Sequence, residues 1–417
     1  MEAARINVLG RATLLASGVP AILGLFAFGV VLPMVAKEFQ AVPHAELMSQ
    51  LVGGIVGLAF AIASPIMGSL VGRFGYRAIY FWSTLVFSLA GLSVVLLDNL
   101  YLILATRVVL GAAVAGTLVA AVTGISTLAE RDRARLFGLQ TMVGGGLGLL
   151  SYIVVAKLAA FGWRIPFLLH ALGLLLLPFI LMLPGAGANA AAGEHHAHAA
   201  DNMAGPQPKG GIAALGGLTL PIVLLGLYMG MTGLMPPLFG PFYLNSIGIS
   251  DPTTIALPLM AAALAAVIAA AGYGWLQGRI GLNGMFAATL LFTGIGAGLS
   301  GMTSTLGQFA AAQIVMSIGL AWTIANLNAS AVAVSTSESR SRAIAVINGL
   351  YYGAQALLPF IAQGLRQIAG AGGVFGGYAI VGIGAGLIYL VVTITERRHP
   401  RMSPKATAEA VSELFEG

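Results

Sequence analysis

The chain contains no cysteine among its 417 residues, which excludes disulfides, thiolate metal sites and cysteine nucleophiles. Charge is also scarce, because Asp, Glu, Lys and Arg make up 8% of the residues, against about 25% in soluble globular proteins. Hydrophobic residues make up 58%, and the mean hydropathy is +0.93. So few charges could not cover the surface of a soluble body of this size. The composition therefore indicates an integral membrane protein.

Long hydrophobic runs are what the sequence has in abundance. A bilayer core of about 30 Å requires about 20 apolar residues in a helix. Such runs are apolar on every face rather than alternating, which favours helices over barrel strands. The sequence therefore predicts an all-α membrane protein with twelve transmembrane helices, numbered here as spans 1 to 12. They cover residues 12–34, 47–71, 78–97, 101–124, 137–160, 165–183, 219–244, 253–277, 284–304, 307–332, 344–365 and 373–394.

The basic residues predict how the spans are oriented. With both termini on one side, that side holds fifteen of the 20 Lys and Arg, the opposite side holds four, and Arg107 lies inside span 4. Such a bias predicts that both termini are cytoplasmic. The net charge of +6 is spread through short loops rather than gathered into a stripe, so we expect no nucleic-acid partner.

The spans divide into two groups of six. We predict a first bundle at 1–184, a cytoplasmic linker rich in Ala, Gly, Pro and His at 185–218, a second bundle at 219–396 and a cytoplasmic tail at 397–417. The segment G-S-L-V-G-R-F-G-Y-R after span 2 is repeated as G-W-L-Q-G-R-I-G-L-N after span 8, 206 positions later. This repeat predicts two pseudo-symmetric bundles. The matching residues are Gly68, Leu70, Gly72, Arg73 and Gly75, and Gly274, Leu276, Gly278, Arg279 and Gly281.

The chain resembles the major facilitator superfamily over nearly all of its length. The superfamily's loop signature is G-x-L-x-D-R-x-G-R-R/K, and this chain departs from it with Gly72 in place of the Asp and Tyr76 in place of the first closing basic residue. The resemblance implies two bundles that rock about a substrate site near the membrane midplane. It also implies gating loops formed by Gly68, Gly72, Arg73, Gly75 and Arg77 after span 2, and by Gly274, Gly278, Arg279 and Gly281 after span 8.

Further segments in spans 4 to 6 can be compared with motifs of that superfamily. Arg107 followed by Gly111 matches its R-x-x-x-G, and Gly162-Trp163-Arg164 with Phe167 resembles the G-W-R-x-x-F of its exporters. The Gly-Pro pair of its antiporter signature is absent from span 5, where Gly148-Leu149 stands instead.

Glycine and proline positions predict how the helices pack. Glycines four residues apart let helix backbones approach closely, and such pairs occur at Gly53/Gly57, Gly68/Gly72, Gly226/Gly230 and Gly382/Gly386. Three prolines remove backbone donors from span 7, which predicts an interruption or a bend towards its outer end: Pro236, Pro237 and Pro241.

Polar residues inside the spans are the candidates for substrate binding. Arg107 is the only charge well inside a span, where a charge is costly, so it indicates a substrate or coupling role, with a tie between helices as the alternative. His170 is the only intramembrane histidine and is a candidate proton relay, with a polar packing contact as the alternative. The other candidate lining residues are Gln140, Met231, Trp322, Asn326, Asn348, Tyr352 and Gln355, each with interhelical packing as the alternative.

Several kinds of site are missing from these spans. All fourteen Asp and Glu fall in predicted loops or tails, so no buried carboxylate is available for proton coupling. A carboxylate-free pocket with one Arg favours anionic or neutral amphipathic cargo over small cations. No catalytic set converges, and we expect the cluster from Glu194 to Asp201 to lack the fixed geometry of a metal site, because it lies in an Ala-rich linker. We therefore expect no enzyme activity, no cofactor and no metal site.

The sequence thus predicts a monomeric secondary transporter in the cytoplasmic (inner) membrane, with the bilayer and a small-molecule substrate as its partners. Export of a small amphipathic organic compound by alternating access is the favoured function, with proton coupling left open. Two alternatives also remain open. One is a facilitator or importer of an organic anion bound by Arg107, and the other is a non-transporting scaffold or receptor with the same fold.

Overall fold

The computed structural model describes residues 7–25, 27–184, 218–336 and 339–398, and within these ranges the regular structure is entirely helical. Ten helices in that part of the chain are long and apolar enough to cross a membrane. The predicted linker lies almost wholly outside the described residues, as do most of the tail and the cluster from Glu194 to Asp201.

The first six spans follow one another through short turns. Span 1 consists of Val8–Leu15, Gly18–Leu25, the 3-10 helix Ala27–Val31 and Leu32–Glu38. Span 2 is Ala45–Phe74, span 3 is Tyr76–Leu92 with the 3-10 helix Ser93–Leu96, span 4 is Leu100–Ser126 and span 5 is Glu130–Ala159. Span 6 consists of the 3-10 helix Ile165–Ala171 and the helix Leu172–Leu181.

The last six spans begin after the linker. Span 7 is Leu220–Ser246, and span 8 is Pro252–Ala271 with the start of the helix Tyr273–Ser300, whose remainder is span 9. Span 10 is Leu306–Val334. Span 11 is Arg340–Ala354 with the start of the helix Leu358–Arg398, whose remainder is span 12.

The count of ten long helices is compatible with twelve crossings for two reasons. Span 6 is a 17-residue apolar segment, Ile165–Leu181, which is shorter than the other spans. Spans 11 and 12 are joined through a single kink at Ala369 and Gly370, so that one continuous helix holds the end of one span and all of the next. A turn this short leaves no loop between the two crossings.

The predicted repeat is visible in the backbone. Six described residues have positive φ, and they form three pairs at equivalent junctions of the two halves, 204, 206 and 208 positions apart. Positive φ therefore recurs at equivalent junctions of the two halves, as a repeat predicts. The pairs are His44 with Gly248, Gly75 with Gly281, and Gly162 with Gly370.

The predicted interruption of span 7 is wrong, and the interrupted helix is span 1. Pro20 has no N–H to donate to the carbonyl of Ala16, and the Ser17 hydroxyl donates to the Leu14 carbonyl at 2.7 Å, so the helix breaks at this point. Span 7 stays helical from Leu220 to Ser246 through all three of its prolines, and most of it is buried among neighbouring helices. Such packing sustains proline-containing helices in membranes.

Candidate functional site

The two bundles meet along a seam formed by spans 1, 2 and 5 on one side and by spans 7, 8 and 11 on the other. We call the end of the molecule that carries Val8 the near end, and the opposite end, which carries the turn at His44, the far end. The near end is the one predicted to be cytoplasmic.

The seam is tightly closed towards the far end. A Cβ atom added to Gly54 would lie 2.9 Å from the carbonyl oxygen of Gln355, and one added to Gly57 would lie 2.7 Å from that of Tyr352. Gly29 of span 1 packs in the same manner against the carbonyl of Pro237. Only glycine permits backbones to approach so closely.

The near end is different. A Cβ atom added to any of the four near-end signature glycines would have no heavy atom within 4 Å: Gly68, Gly72, Gly274 and Gly278. The predicted close approach is therefore confirmed at Gly57, at Gly230 against Tyr351 and at Gly382 against Gly294, whereas at Gly68 and Gly72 it is wrong in this conformation. Spans 2 and 8 are thus unpacked at these positions.

Charged and polar side chains bridge the seam at the far end. Arg366 of span 11 forms an ion pair with Glu46 of span 2, and the Gln50 side chain donates to the Glu46 carboxylate at 3.3 Å. These residues border a cavity of about 360 Å³ that His44 and Gln363 also line.

Arg107 ties span 4 to the end of span 3. Its Nη2 atom donates to the Ala90 carbonyl at 2.8 Å, and its guanidinium lies 5.5 Å from the centre of the Phe167 ring. The side chain is buried, yet its Nε atom has no hydrogen-bond partner among the described residues. Arg107 also lines a cavity of about 30 Å³, large enough for a water molecule, together with Gly29 and Pro237 from the two sides of the seam.

His170 is packed rather than exposed to a channel. Its ring lies 5.0 Å from the ring of Phe28 and 5.1 Å from that of Phe87, and it fills the space over Gly91. Nδ1 is 2.8 Å from the Phe167 carbonyl, so the neutral ring donates there and leaves Nε2 without a partner. This environment favours the packing interpretation.

Two predicted lining residues hold the second bundle together instead. The Asn326 amide donates to the Thr289 hydroxyl at 2.6 Å and to the Met285 carbonyl at 3.2 Å, and it accepts from the Tyr273 hydroxyl at 2.9 Å. Trp322 donates to the Ala269 carbonyl at 2.8 Å. Both side chains are buried between spans 8, 9 and 10.

Two others also connect helices within one bundle. Gln140 of span 5 donates to the Ser17 hydroxyl of span 1 at 2.9 Å. The Tyr378 hydroxyl of span 12 donates to the sulfur of Met231 in span 7 at 3.4 Å.

Span 11 is where the structure brings predicted residues to the seam. Tyr352 is half-buried, and its ring meets that of Phe60 of span 2 edge-on, with 4.8 Å between ring centres. Gln355 is 1% exposed beside Gly57, and neither atom of its amide has a hydrogen-bond partner. Asn348 lies one helical turn from Tyr352 towards the near end. It is half-buried and donates to the side chain of Asn328 at 2.9 Å.

The signature arginines have the following contacts within their own bundles. Arg77 donates to the Leu183 carbonyl at the end of span 6, at 3.0 Å. The guanidinium of Arg73 lies 5.3 Å from the Phe74 ring centre, and that of Arg279 lies 3.9 Å from the Trp275 ring centre. A gating role for these residues stays a prediction.

Sequence reasoning missed the far-end residues Glu46, Gln50 and Arg366 and the aromatic partner Phe60. Glu46 and Arg366 are separated by 320 positions in the chain, and both fall at the margins of predicted spans. Neither residue lies within a motif of the sequence, so no local signal pairs them.

Comparison with known proteins decides the family. The model of the Major Facilitator Superfamily matches residues 14–273 and again residues 222–416. The chain belongs to the Major Facilitator Superfamily. It is therefore a multi-pass membrane protein of a transporter family, with the superfamily's two-bundle fold.

Three curated relatives in this family match parts of the chain. The class C tetracycline resistance protein of Escherichia coli is 30% identical over 195 residues, which cover 43% of this chain and 44% of that protein. The niacin transporter NiaP of Acinetobacter baylyi is 29% identical, over 36% of this chain and 33% of that protein. The methylenomycin A resistance protein of Streptomyces coelicolor is 32% identical, over 30% of this chain and 26% of that protein. The matches thus span less than half the length of each relative.

Solved structures share the fold over nearly the whole chain. A POT family transporter superposes with a TM-score of 0.70 at 14% identity, covering 93% of this chain and 96% of its own. The nucleoside transporter NupG superposes with a TM-score of 0.66 at 12% identity, covering 92% of this chain and 99% of its own.

Proposed function

We propose that this protein is a secondary transporter that exports a small amphipathic organic compound across the inner membrane by alternating access. The observation that carries the proposal is the asymmetry of the seam. Close backbone contacts seal it at Gly54 and Gly57, whereas Gly68, Gly72, Gly274 and Gly278 face open space at the other end. A central site reached from one side at a time requires such an asymmetry.

The charge distribution supports the proposed orientation of the open end. The near end carries most of the Lys and Arg and is cytoplasmic by the positive-inside bias, so the conformation described here faces the cytoplasm. An exporter loads its cargo in that conformation. The resemblance to two resistance proteins supports export.

The seam also suggests the chemistry of the cargo. Tyr352 and Phe60 offer aromatic surfaces, and Gln355 offers an amide whose donor and acceptor are both unused. A ligand that combines a flat apolar body with one or two hydrogen-bonding groups would match these partners. We therefore assign Tyr352 and Gln355 to the cargo site, with Asn348 at its entrance.

The alternative is uptake or facilitated diffusion of an organic anion. One observation favours it, since the buried guanidinium of Arg107 lines a cavity at the seam and has an unused Nε–H. The niacin transporter among the relatives supports the same idea. Against it, Nη2 of Arg107 is already bonded to the Ala90 carbonyl.

Flux measurements in proteoliposomes separate these functions. We expect the purified protein to move tetracycline faster than protein-free liposomes do, and Tyr352→Ala and Gln355→Ala to raise the KM. Asn326→Ala, buried within one bundle, is the control and should leave the KM of the folded protein unchanged. The measurement is repeated with radiolabelled nicotinate, with and without a pH gradient.

Each outcome selects one function. Movement of nicotinate but not tetracycline, abolished in Arg107→Gln, would replace export by anion transport. Equilibration that ignores the pH gradient would remove proton coupling. Failure of both compounds and of a wider panel to exceed the protein-free rate would favour a scaffold or receptor.

A further inference from the structure

Side chains as well as packed backbone join the two bundles at the far end of the seam. Beyond the contacts at Gly54 and Gly57, the bundles diverge around the cavity of about 360 Å³ that is bordered by Glu46 and Arg366. The ion pair between these two residues crosses that space. A charged contact therefore joins the bundles beyond the backbone contacts, on the side away from the near-end opening.

The acidic partner of this pair is held in place from its own helix. Gln50 lies one turn further along span 2, is 4% exposed, and donates its side-chain N–H to the Glu46 carboxylate. Because the carboxylate is already oriented, less side-chain entropy is lost when it pairs with Arg366. Gln50 is thus a positioning residue for the pair.

A second feature of the seam opposes its closure. The amide of Gln355 is buried without a partner in the closed seam, and a buried unpaired polar group raises the free energy of the state that contains it. Separation of spans 2 and 11 would give this amide water to bond with. Packing stabilises the closed far end, and the unpaired amide destabilises it. A modest charge interaction is therefore enough to shift the equilibrium between the closed and open states.

We propose that Glu46 and Arg366, positioned by Gln50, form an ionic latch that keeps the far end closed while the near end is open. The inference rests on the proposed alternating access, because only a far end that opens needs a latch. The pair is partly exposed, with 37% of the Glu46 side chain and 43% of the Arg366 side chain accessible, so salt screens the attraction. Release of the latch therefore shifts the protein towards an outward-facing state.

Because the chain contains no cysteine, a single introduced cysteine can be used to measure access to the seam. Ala356 is 6% exposed, and its Cα lies 3.6 Å from a Cβ added to Gly54, so Ala356→Cys places a reporter inside the sealed seam of the full-length chain. The rate of its reaction with a water-soluble maleimide is measured in detergent. We expect Glu46→Arg and Arg366→Glu each to raise this rate by about three- to tenfold. The combined swap should restore the slow rate, and 1 M NaCl should raise the rate only where the pair is intact.

A matched control comes from the same end of the molecule. Arg164 and Asp98 form an ion pair at 2.6 Å within the first bundle, so Asp98→Arg removes a far-end pair without touching the seam. Asp98→Arg should leave the reaction of the reporter cysteine with the maleimide slow. If charge reversal prevents folding, the neutral Glu46→Gln replaces it, with a smaller expected rise.

Unchanged labelling in the single variants, or a combined swap that labels as fast as they do, would overturn the latch. These readouts need no transported compound. A wild-type protein that moves nothing in liposomes would contradict the proposed transport, whereas a transporting protein with an insensitive reporter would contradict the latch alone.

Discussion

Gly75 and Gly281 have nearly the same backbone conformation, with φ 82° and ψ 152° at Gly75 and φ 73° and ψ 178° at Gly281. They are 206 positions apart and turn the chain between spans 2 and 3 and between spans 8 and 9. This combination of positive φ and extended ψ is accessible to essentially no residue but glycine. The two positions are thus the same turn, kept in both halves of a repeat.

Alanine at either turn should destabilise the protein. We expect Gly75→Ala and Gly281→Ala each to lower the free energy of unfolding by about 1–3 kcal/mol, because the added Cβ makes this conformation strained. Gly68→Ala and Gly274→Ala are the controls, since both lie in helices with open space around them and should be neutral or slightly stabilising. Thermal unfolding in detergent measures all four. Equal losses in all four variants would contradict a conformational requirement.

Gln355→Leu should stabilise the protein, in contrast to most core substitutions. Both atoms of the buried amide lack partners, so an apolar side chain of similar size should raise the free energy of unfolding by about 1 kcal/mol. Gln313→Leu is the matched control, because the buried Gln313 amide donates to the Ser300 hydroxyl at 3.1 Å and only its oxygen lacks a partner, so Gln313→Leu should be less stable than Gln355→Leu relative to wild type. A fall in stability for Gln355→Leu would indicate that water or another group bonds this amide. Slower transport despite higher stability would agree with the proposed cargo role.

Asn326 should prove to be a structural residue. Asn326→Leu removes three hydrogen bonds between spans 8, 9 and 10, and we expect a loss of about 2 kcal/mol in the free energy of unfolding. Asn348→Leu removes one bond to Asn328 and one within its own helix, so its loss should be smaller. The check is thermal unfolding together with cargo KM. Full stability with lost cargo binding in Asn326→Leu would return this residue to the substrate site.

The N-terminus of span 8 should show a defined pH dependence. The hydroxyl and the N–H of Thr254 both bond to the Asp251 carboxylate at 2.7 Å, and these hydrogen bonds lower the pKa of Asp251. Its stabilisation is therefore fully present above the ordinary pKa of an aspartate, about 3.9, and is lost as the pH falls through the lowered folded-state value. Asp251→Ala should lower the melting temperature at pH 7 by more than at pH 3. Asp251→Asn, which still caps a helix, should lose the pH dependence but keep much of the stability.

Hydropathy was sufficient to predict the spans, because burying about 20 residues in a bilayer leaves a long uniform signal. The direction in which a side chain points was harder to predict. Asn326 and Trp322 share one face of span 10, yet that face packs against spans 8 and 9 rather than the seam. A span that is apolar all round carries no amphipathic stripe to show which side faces a cavity.

Proline was also a poor guide to helix breaks. Span 7 remains helical through three prolines, whereas span 1 breaks at Ser17 and Pro20. The difference depends on which neighbours cover the freed carbonyls, and that is a property of the packed structure rather than of the local sequence. Pairing across the seam, such as that of Glu46 with Arg366, is hidden from the sequence for the same reason.

Pro241 has a consequence that reaches into the other half of the molecule. In a helix the Pro237 carbonyl would accept from the N–H of residue 241, which proline lacks, and the backbone of Gly29 occupies the adjoining space. Any larger residue at position 29 would collide with that exposed oxygen. Because every residue at position 237 carries this oxygen, a homologue with a side chain at position 29 should hold spans 1 and 7 farther apart.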